Sequence, residues 1–455
     1  MRRFLLIILV FSVCVQSLST NVVVNIQSDG AISEISGQFI GVTIDTFELR
    51  YWKDEFFRSK RMIMLARALS PMYIRMGGTT ADYTIFSTKG VYHTERNNLK
   101  VNAPLWDKIN GFIQDTGWDF IYDLNSLLRF GNGSWDMNNA VQLIKYSQSK
   151  GYKLAGWELG NEPNVYKGHD VVSPSQLSED YVKLRNILQH FLKGPGSNAI
   201  NASTFHHYYG YEGNFNLLDF LNPKILDNLI PEINIAKKYT KEYCPEGMQV
   251  WLGETSSVWG EGKPGYSDRY VAGFMWLDKL GLSAQLGIDT VMRQDFYGGQ
   301  YGLLNSDGFP NPDYWLTLLY KLLVGSKVLN KNMIEMKTKI TPEHLRFYTH
   351  CTNNKRTNYT KGSITVYGMN LNAVDAAIYF DQYIESELHL YLLEPSDNYG
   401  LTSGNVSLNG KHLEITENGN IPNLLTPKVV RNPVIIPGFR FGFVVIPSAN
   451  KNICY

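Results

Sequence analysis

Trp157-Glu158-Leu159-Gly160-Asn161-Glu162-Pro163 carries a strand-like apolar run into a loop and leaves a glutamate at the turn. Further along, Val250-Trp251-Leu252-Gly253-Glu254-Thr255 repeats the pattern. In a βα-barrel the strand C-termini open on one shared face, so glutamates remote in sequence meet there. A glutamate at a loop start is ordinarily a solvated surface group. These two stand among Trp, Leu and Gly rather than Lys, Ser and Asp, which points to a shielded site.

Outward from these segments, strand-like runs alternate with amphipathic helices. The strands are expected at Phe39–Asp45, Met72–Met76, Asp119–Leu124, Lys153–Leu159, Thr204–Tyr209, Gln249–Gly253 and Thr290–Phe296. Helices are expected near Glu55–Leu69, Leu105–Thr116, Asn138–Lys150, Ser175–Lys193, Pro223–Glu242, Tyr266–Gly281 and Asp313–Leu323. This is the α/β pattern of a TIM-like (β/α)8 barrel. The count stops at seven strands: Glu162 and His206 are 44 residues apart, with one helix and Gly194-Pro-Gly-Ser between them. The fifth strand and its helix are missing from that interval. From Lys331 onward short alternating runs, such as Ser363–Asn370 and Gly438–Ile446, predict a C-terminal β-sandwich. The expected organisation is therefore a leader over 1–19, an N-terminal strand region over 20–37 that joins the sandwich, a barrel over 38–330 and the sandwich over 331–455.

Arg2-Arg3, an apolar run to Val13 and small residues ending at Ser19 read as a signal peptide. No later run is long enough for a transmembrane helix. The expected location is therefore secreted or extracellular, with the lysosome as a further destination. An oxidising route favours one bridge and one odd thiol among Cys244, Cys351 and Cys454. Asn132, Asn201, Asn358 and Asn405 carry glycosylation sequons. With a net charge of +1 the chain has no global pull on a polyanion, so nucleic acid is not an expected partner and any anionic ligand needs a local patch. Lys60-Arg61, Lys237-Lys238 and Lys355-Arg356 are short basic clusters, a pattern that usually marks a solvated face.

Two carboxyl groups on one rim are what hydrolysis of a glycosidic bond requires. Glu162, at its strand end, is the expected acid/base, and Glu158, inside the strand, a structural hydrogen-bonder. Asn161 is placed to donate to a sugar 2-hydroxyl. Glu254 is the expected nucleophile, oriented by Tyr208. His206 and His207 lack further ligands at metal spacing and face opposite sides of a strand, so neither a metal nor another cofactor is expected.

Trp157-Glu-Leu-Gly-Asn-Glu162-Pro-Asn, His206-His-Tyr-Tyr, Trp251-Leu-Gly-Glu254-Thr-Ser-Ser and Phe274-Met-Trp-Leu-Asp-Lys-Leu-Gly-Leu-Ser-Ala together resemble the heparanase family, over nearly the whole mature chain. The resemblance implies a retaining endo-β-glucuronidase of glycoside hydrolase clan A that acts on the heparan sulfate of proteoglycans. It implies that Glu162 is the proton donor and Glu254 the nucleophile. Asp45, Thr79, Asn161 and Tyr301 would line the glucuronate subsite, with Gly260 and Glu261 near the uronate carboxylate. Cys351 would pair with Cys454. The chain departs from the family pattern in three places. The long basic segment after the second barrel strand is reduced to Lys89–Leu105, the strand after Glu162 is missing together with its basic patch, and Glu261 replaces a glycine. An exo-β-glucuronidase, or a glycan-binding chain of impaired turnover, is the alternative expectation.

Overall fold

The structure, a computed structural model, describes residues 20–52, 54–88, 94–95, 98–191, 202–336, 342–416 and 419–455. The expected leader over 1–19 and the sequon at Asn201 lie outside these residues.

Seven strands pair in parallel in the spatial order Gly156–Leu159, Asp119–Leu124, Tyr73–Gly77, Ile40–Asp45, Thr290–Gln294, Gln249–Thr255, Ala202–His207. All seven expected strands are there. The two terminal strands of this curled sheet are the pair that flanks the short interval after Glu162. Among the described residues no strand joins these two, so the TIM-like barrel is open there. Burial follows from this: Thr290–Gln294, in the middle of the sheet, is wholly buried, whereas Gly156–Leu159 and Ala202–His207 are mostly half-buried. The Tyr181 hydroxyl, on helix Pro174–Phe191, donates to the Leu159 carbonyl at 3.1 Å and caps part of one edge.

Local chemistry sets the helix ends. Asn102 accepts from the Leu105 N–H to start Ala103–Thr116, and Gly117, at φ 70°, stops it in the left-handed region. The helix expected over 55–69 is two, Asp54–Arg58 and Lys60–Leu69, because extended Ser59 breaks the chain and caps Met62. The one expected over 223–242 divides likewise into Pro223–Leu226 and Leu229–Tyr243. No helix among the described residues is long and apolar enough to cross a membrane.

The second sheet has eleven strands and is largely antiparallel. Its strand Val324–Met336 starts directly after helix Pro312–Leu323, earlier than the residue-331 expectation. No strand is expected over this Lys- and Asn-containing stretch from sequence, and pairing with Thr20–Glu34 makes it one. Strands from both ends of the sheet share one core, with Val22, Ile378 and Val434 packed in the same cluster as Leu390 and Val444. The sheet therefore doubles over as a sandwich. Alternate residues, Tyr348, Tyr367 and Phe443, face the barrel core instead.

Helix Ala272–Gln285 is the shared wall, buried along nearly its whole length. A Cβ at Gly281 would stand 2.2 Å from the Tyr348 ring, and one at Gly273 2.4 Å from Phe441, so only glycine admits these rings. Buried Asp278 accepts from Tyr348 Oη at 2.6 Å and from Arg346 Nε at 2.5 Å. Cys351 and Cys454 form a disulfide, and Cys244 is free.

Candidate active site

The strand ends deliver the site. In the pairing of Gln249–Thr255 with Ala202–His207, Leu252 lies opposite Phe205 but Glu254 lies opposite His206. The bulge therefore falls at Gly253, where a Cβ would come within 3.0 Å of Thr204. A bulge re-aims the following side chain, and here it turns Glu254 into the barrel mouth. Glu162 is held at φ 50°, ψ 54°, a left-handed conformation that costs a non-glycine residue about 1 kcal/mol.

Arg75 joins these parts. It is 2 % exposed and rises from the strand Tyr73–Gly77 into the barrel interior. Its guanidinium donates to Glu158 Oε2 at 2.5 Å, to Glu254 Oε2 at 2.9 Å and to Asn161 Oδ1 at 3.0 Å, and Asp123 lies 3.7 Å away. Tyr208 Oη donates to the other Glu254 oxygen at 2.7 Å. Both oxygens of Glu254 are thus fixed by donors, and Glu158 serves structurally. With its Oδ1 engaged by Arg75 and its N–H donated to Asp82 at 3.1 Å, Asn161 keeps its amide NH2 for a ligand.

His206 Nδ1 donates to Glu162 Oε1 at 2.8 Å and lies 3.9 Å from Glu254 Oε2. The three groups lie within 4.8 Å of one another. That spacing also meets the geometric demand of a metal ligand set. The partners argue otherwise: both Glu254 oxygens are taken by donors, one of them a cation, and the Nδ1 of His206 is engaged in its hydrogen bond with Glu162. His207 points the opposite way, where burial and Lys279 push it down to about 2. The His206 bond, aided by Arg75, holds Glu162 below the usual glutamate range despite its partial burial.

The other expected residues gather beside this pair. Asp45 accepts from the Phe47 N–H at 2.8 Å and abuts Gly78, where a Cβ would be 2.3 Å from its carboxylate. Thr79 is exposed at the start of the next turn. Tyr301 is buried, with its ring 6.4 Å from that of Tyr208 and packed under Gly262. Gly260 and Glu261, at φ 86° and 69°, form the turn above it, and the Glu261 carbonyl accepts from the Gln300 N–H at 2.7 Å. The Glu261 side chain is exposed, as a charge in that place requires. The sequons Asn132, Asn358 and Asn405 are exposed as well.

Sequence reasoning missed Arg75, Glu48 and Asp295. A charged residue inside the apolar run Tyr73-Ile-Arg75-Met was the available signal, since buried Arg needs carboxylates. Glu48 and Asp295 press on one glycine: a Cβ at Gly298 would be 2.8 Å from Glu48 Cδ and 2.9 Å from Asp295 Oδ2. Burial first, and then neighbouring acids, pushes Asp45 and Glu48 up to about 7. Burial and the charge of Glu48 push Asp295 up to about 8.

A TIM-like barrel with paired glutamates at its mouth and a sheet domain defines a glycoside hydrolase of clan A type. Comparison with known proteins agrees. Residues 21–194 match glycosyl hydrolase family 79, N-terminal domain. Mouse heparanase is 35% identical over 93% of this chain and 92% of its own. Hyaluronoglucuronidase of the leech Hirudo nipponia is 31% identical over 95% and 99%. Human inactive heparanase-2 is 30% identical over 96% and 90%. Among solved structures, a 4-O-α-L-rhamnosyl-β-D-glucuronidase from Fusarium oxysporum superposes with a TM-score of 0.69 at 16% identity, over 93% of this chain and 100% of that one, a likeness of fold. The chain belongs to the heparanase family of glycoside hydrolases.

Proposed function

We propose that this protein is a retaining endo-β-glucuronidase that cuts glucuronate-containing glycosaminoglycan chains, heparan sulfate first among them. The observation that carries the reading is the approach of the Glu162 and Glu254 carboxylates to within 4.8 Å. Retaining enzymes hold their carboxyl groups about 5–5.5 Å apart, and inverting ones about 6.5–9.5 Å, to admit a water. Kinship with heparanase and a hyaluronoglucuronidase supports a glycosaminoglycan substrate.

In this mechanism Glu254, held in place by Arg75 and Tyr208, attacks the anomeric carbon as Glu162 gives its proton to the leaving oxygen. Water then enters, Glu162 takes a proton from it, and the new hydroxide oxygen releases the sugar from Glu254. Asn161 offers its NH2 to the 2-hydroxyl, where a hydrogen bond strengthens as the ring becomes cationic. Glu162 must carry a proton to begin. Because His206 lowers its affinity for one, the reaction belongs at acidic pH, and a bound sugar that displaces water favours the protonated form.

Glu254→Gln keeps the shape and removes the nucleophile. Its turnover of heparan sulfate should fall roughly 10⁴-fold or more. Retention of substantial activity would refute the assignment. Product sizes separate endo from exo action, since internal cuts shorten chains quickly whereas exo cleavage releases monosaccharide. The open sheet edge next to Glu162 and His206 favours one second reading, a glycan-binding chain of impaired turnover. Binding without hydrolysis by the unaltered protein would select it.

A further inference from the structure

The chains that carry His206 and Glu254 stay paired beyond the ends of their strands. Past the register in which Glu254 lies opposite His206, the Tyr209 N–H donates to the Ser257 carbonyl at 2.8 Å and the Trp259 N–H to the Gly210 carbonyl at 2.9 Å. The pairing ends on a parallel bridge between Tyr211 and Trp259, each five residues past its member of that register. At about 3.3 Å per residue, both aromatics stand within roughly 17 Å of the proposed catalytic groups. Their ring centroids are 4.4 Å apart, with the planes at 35°. Tyr211 is 42 % exposed and Trp259 55 %, while the other eight tryptophans are buried or half-buried. The Tyr211 ring is gripped at both edges: a Cβ at Gly213 would be 2.7 Å from its Cε1, and one at Gly260 3.4 Å from its Cε2. Lys263 Nζ donates to the Glu212 carbonyl at 2.8 Å and ties the two loops together.

Large aromatic side chains are normally withdrawn from water, and apolar surface left exposed among polar groups marks a contact site. Two rings are far too small for a stable protein partner, which buries about 1,200 Å² or more. They suit a pyranose, whose flat C–H face is apolar and whose rim is hydroxylated. Because the Tyr211 ring is already fixed, stacking on it costs little ordering entropy. Charge then decides which sugar fits. The Glu212 side chain lies over Gly260, where a Cβ would be 3.4 Å from its Cγ and 3.6 Å from its Cδ, and exposed Glu261 follows in the chain. Two carboxylates therefore border the rings, against the one ammonium of Lys263. A sulfate ester placed there meets like charge within a Debye length, whereas hydroxyl and acetamido donors find acceptors.

We propose that Tyr211 and Trp259 form a stacking shelf on the rim of the hydrolytic mouth for an unsulfated sugar of the glucuronate-containing chain, and that Glu212 and Glu261 turn sulfated sugars away from it. This rests on the glycosaminoglycan reading above and narrows it, since the chain is then cut in its stretches of low sulfation. The shelf holds a sugar away from the scissile bond, so its residues position substrate and take no part in bond breaking.

Binding is read on the full chain carrying Glu254→Gln, by tryptophan fluorescence with a size-defined oligosaccharide of alternating glucuronate and N-acetylglucosamine. Trp259 should respond. Adding Trp259→Leu should abolish the response and weaken binding roughly tenfold, the scale of one lost aromatic contact. Trp259→Phe restores a ring face and should recover most of the affinity. Leucine would serve equally well as an apolar staple between the loops, so unweakened binding by the leucine variant overturns the proposal. In turnover by the chain that keeps Glu254, Trp259→Leu should raise KM and leave kcat nearly unchanged. Glu212→Gln together with Glu261→Gln should narrow the preference for the unsulfated over an N-sulfated oligosaccharide of equal length roughly fivefold, the scale of two exposed charge contacts. A preference of the unaltered protein for the sulfated chain overturns the proposal. If the unaltered protein hydrolyses neither oligosaccharide while Trp259→Leu still loses binding, the catalytic reading fails and the shelf stands. If hydrolysis proceeds and Trp259→Leu moves neither KM nor binding, the shelf fails and the catalytic reading stands.

Discussion

At the residue scale, the site is governed by which carboxyls are paired with cations and which are not. Glu158, Glu254 and Asp123 share the one guanidinium of Arg75, whereas Asp45, Glu48 and Asp295 cluster with no ion pair among the described residues. His206→Ala removes the donor that lowers Glu162, so the Glu162 pKa rises. Since Glu162 must be protonated to act as the proposed acid, the basic limb of kcat/KM should move to higher pH, and an unmoved limb would exclude His206 from that role. Asp295, raised from 3.8 to about 8, keeps its proton in the fold across a range where the unfolded chain has lost it. The folded state then binds more protons, so stability falls as pH rises from about 4 to about 8. Asp295→Asn is neutral throughout and can still accept from Gly299. It should melt higher than the unaltered protein at pH 8, by roughly 1 kcal/mol or more, about 2–4 °C, with the gap closing towards pH 4. A constant gap across that range would contradict the assignment.

At the element scale, small residues decide where larger ones go. Gly253 makes the bulge that turns Glu254 inward, and Gly281 admits the Tyr348 ring that joins sandwich to barrel. Gly281→Ala would overlap that ring. We expect a loss of about 1–3 kcal/mol in denaturant unfolding, typical of overpacking, with turnover at low temperature nearly preserved because the site is remote. A fully stable variant would show that the interface relaxes freely.

At the scale of the whole molecule, the open barrel is the dominant feature. Closure removes sheet edges, and here, among the described residues, Gly156–Leu159 and Ala202–His207 lack a common partner strand. Hydrogen exchange should be markedly faster in both than in Ile40–Asp45, which is hydrogen-bonded on both sides. Equal protection would mean the edges are covered in solution. The residues at stake are Glu162 and His206, so loosening of these strands should reach the Glu162 side of the proposed catalytic pair first.

The sequence by itself determined the strands, the alternation, the missing interval and the paired glutamates. Each rests on local hydrophobic period or a short motif, and such signals survive without knowledge of neighbours. Val324–Met336 was not legible because its polar stretch becomes a strand only against Thr20–Glu34, which lies near the other end of the chain. Arg75, Glu48 and Asp295 were likewise hidden, since a buried charge announces its role through partners that other strands supply. The meeting of Tyr211 with Trp259 belongs to neither loop alone. Only tertiary structure decided these, because ion pairing, burial and shared walls are properties of distances between elements, which a linear order of residues does not contain.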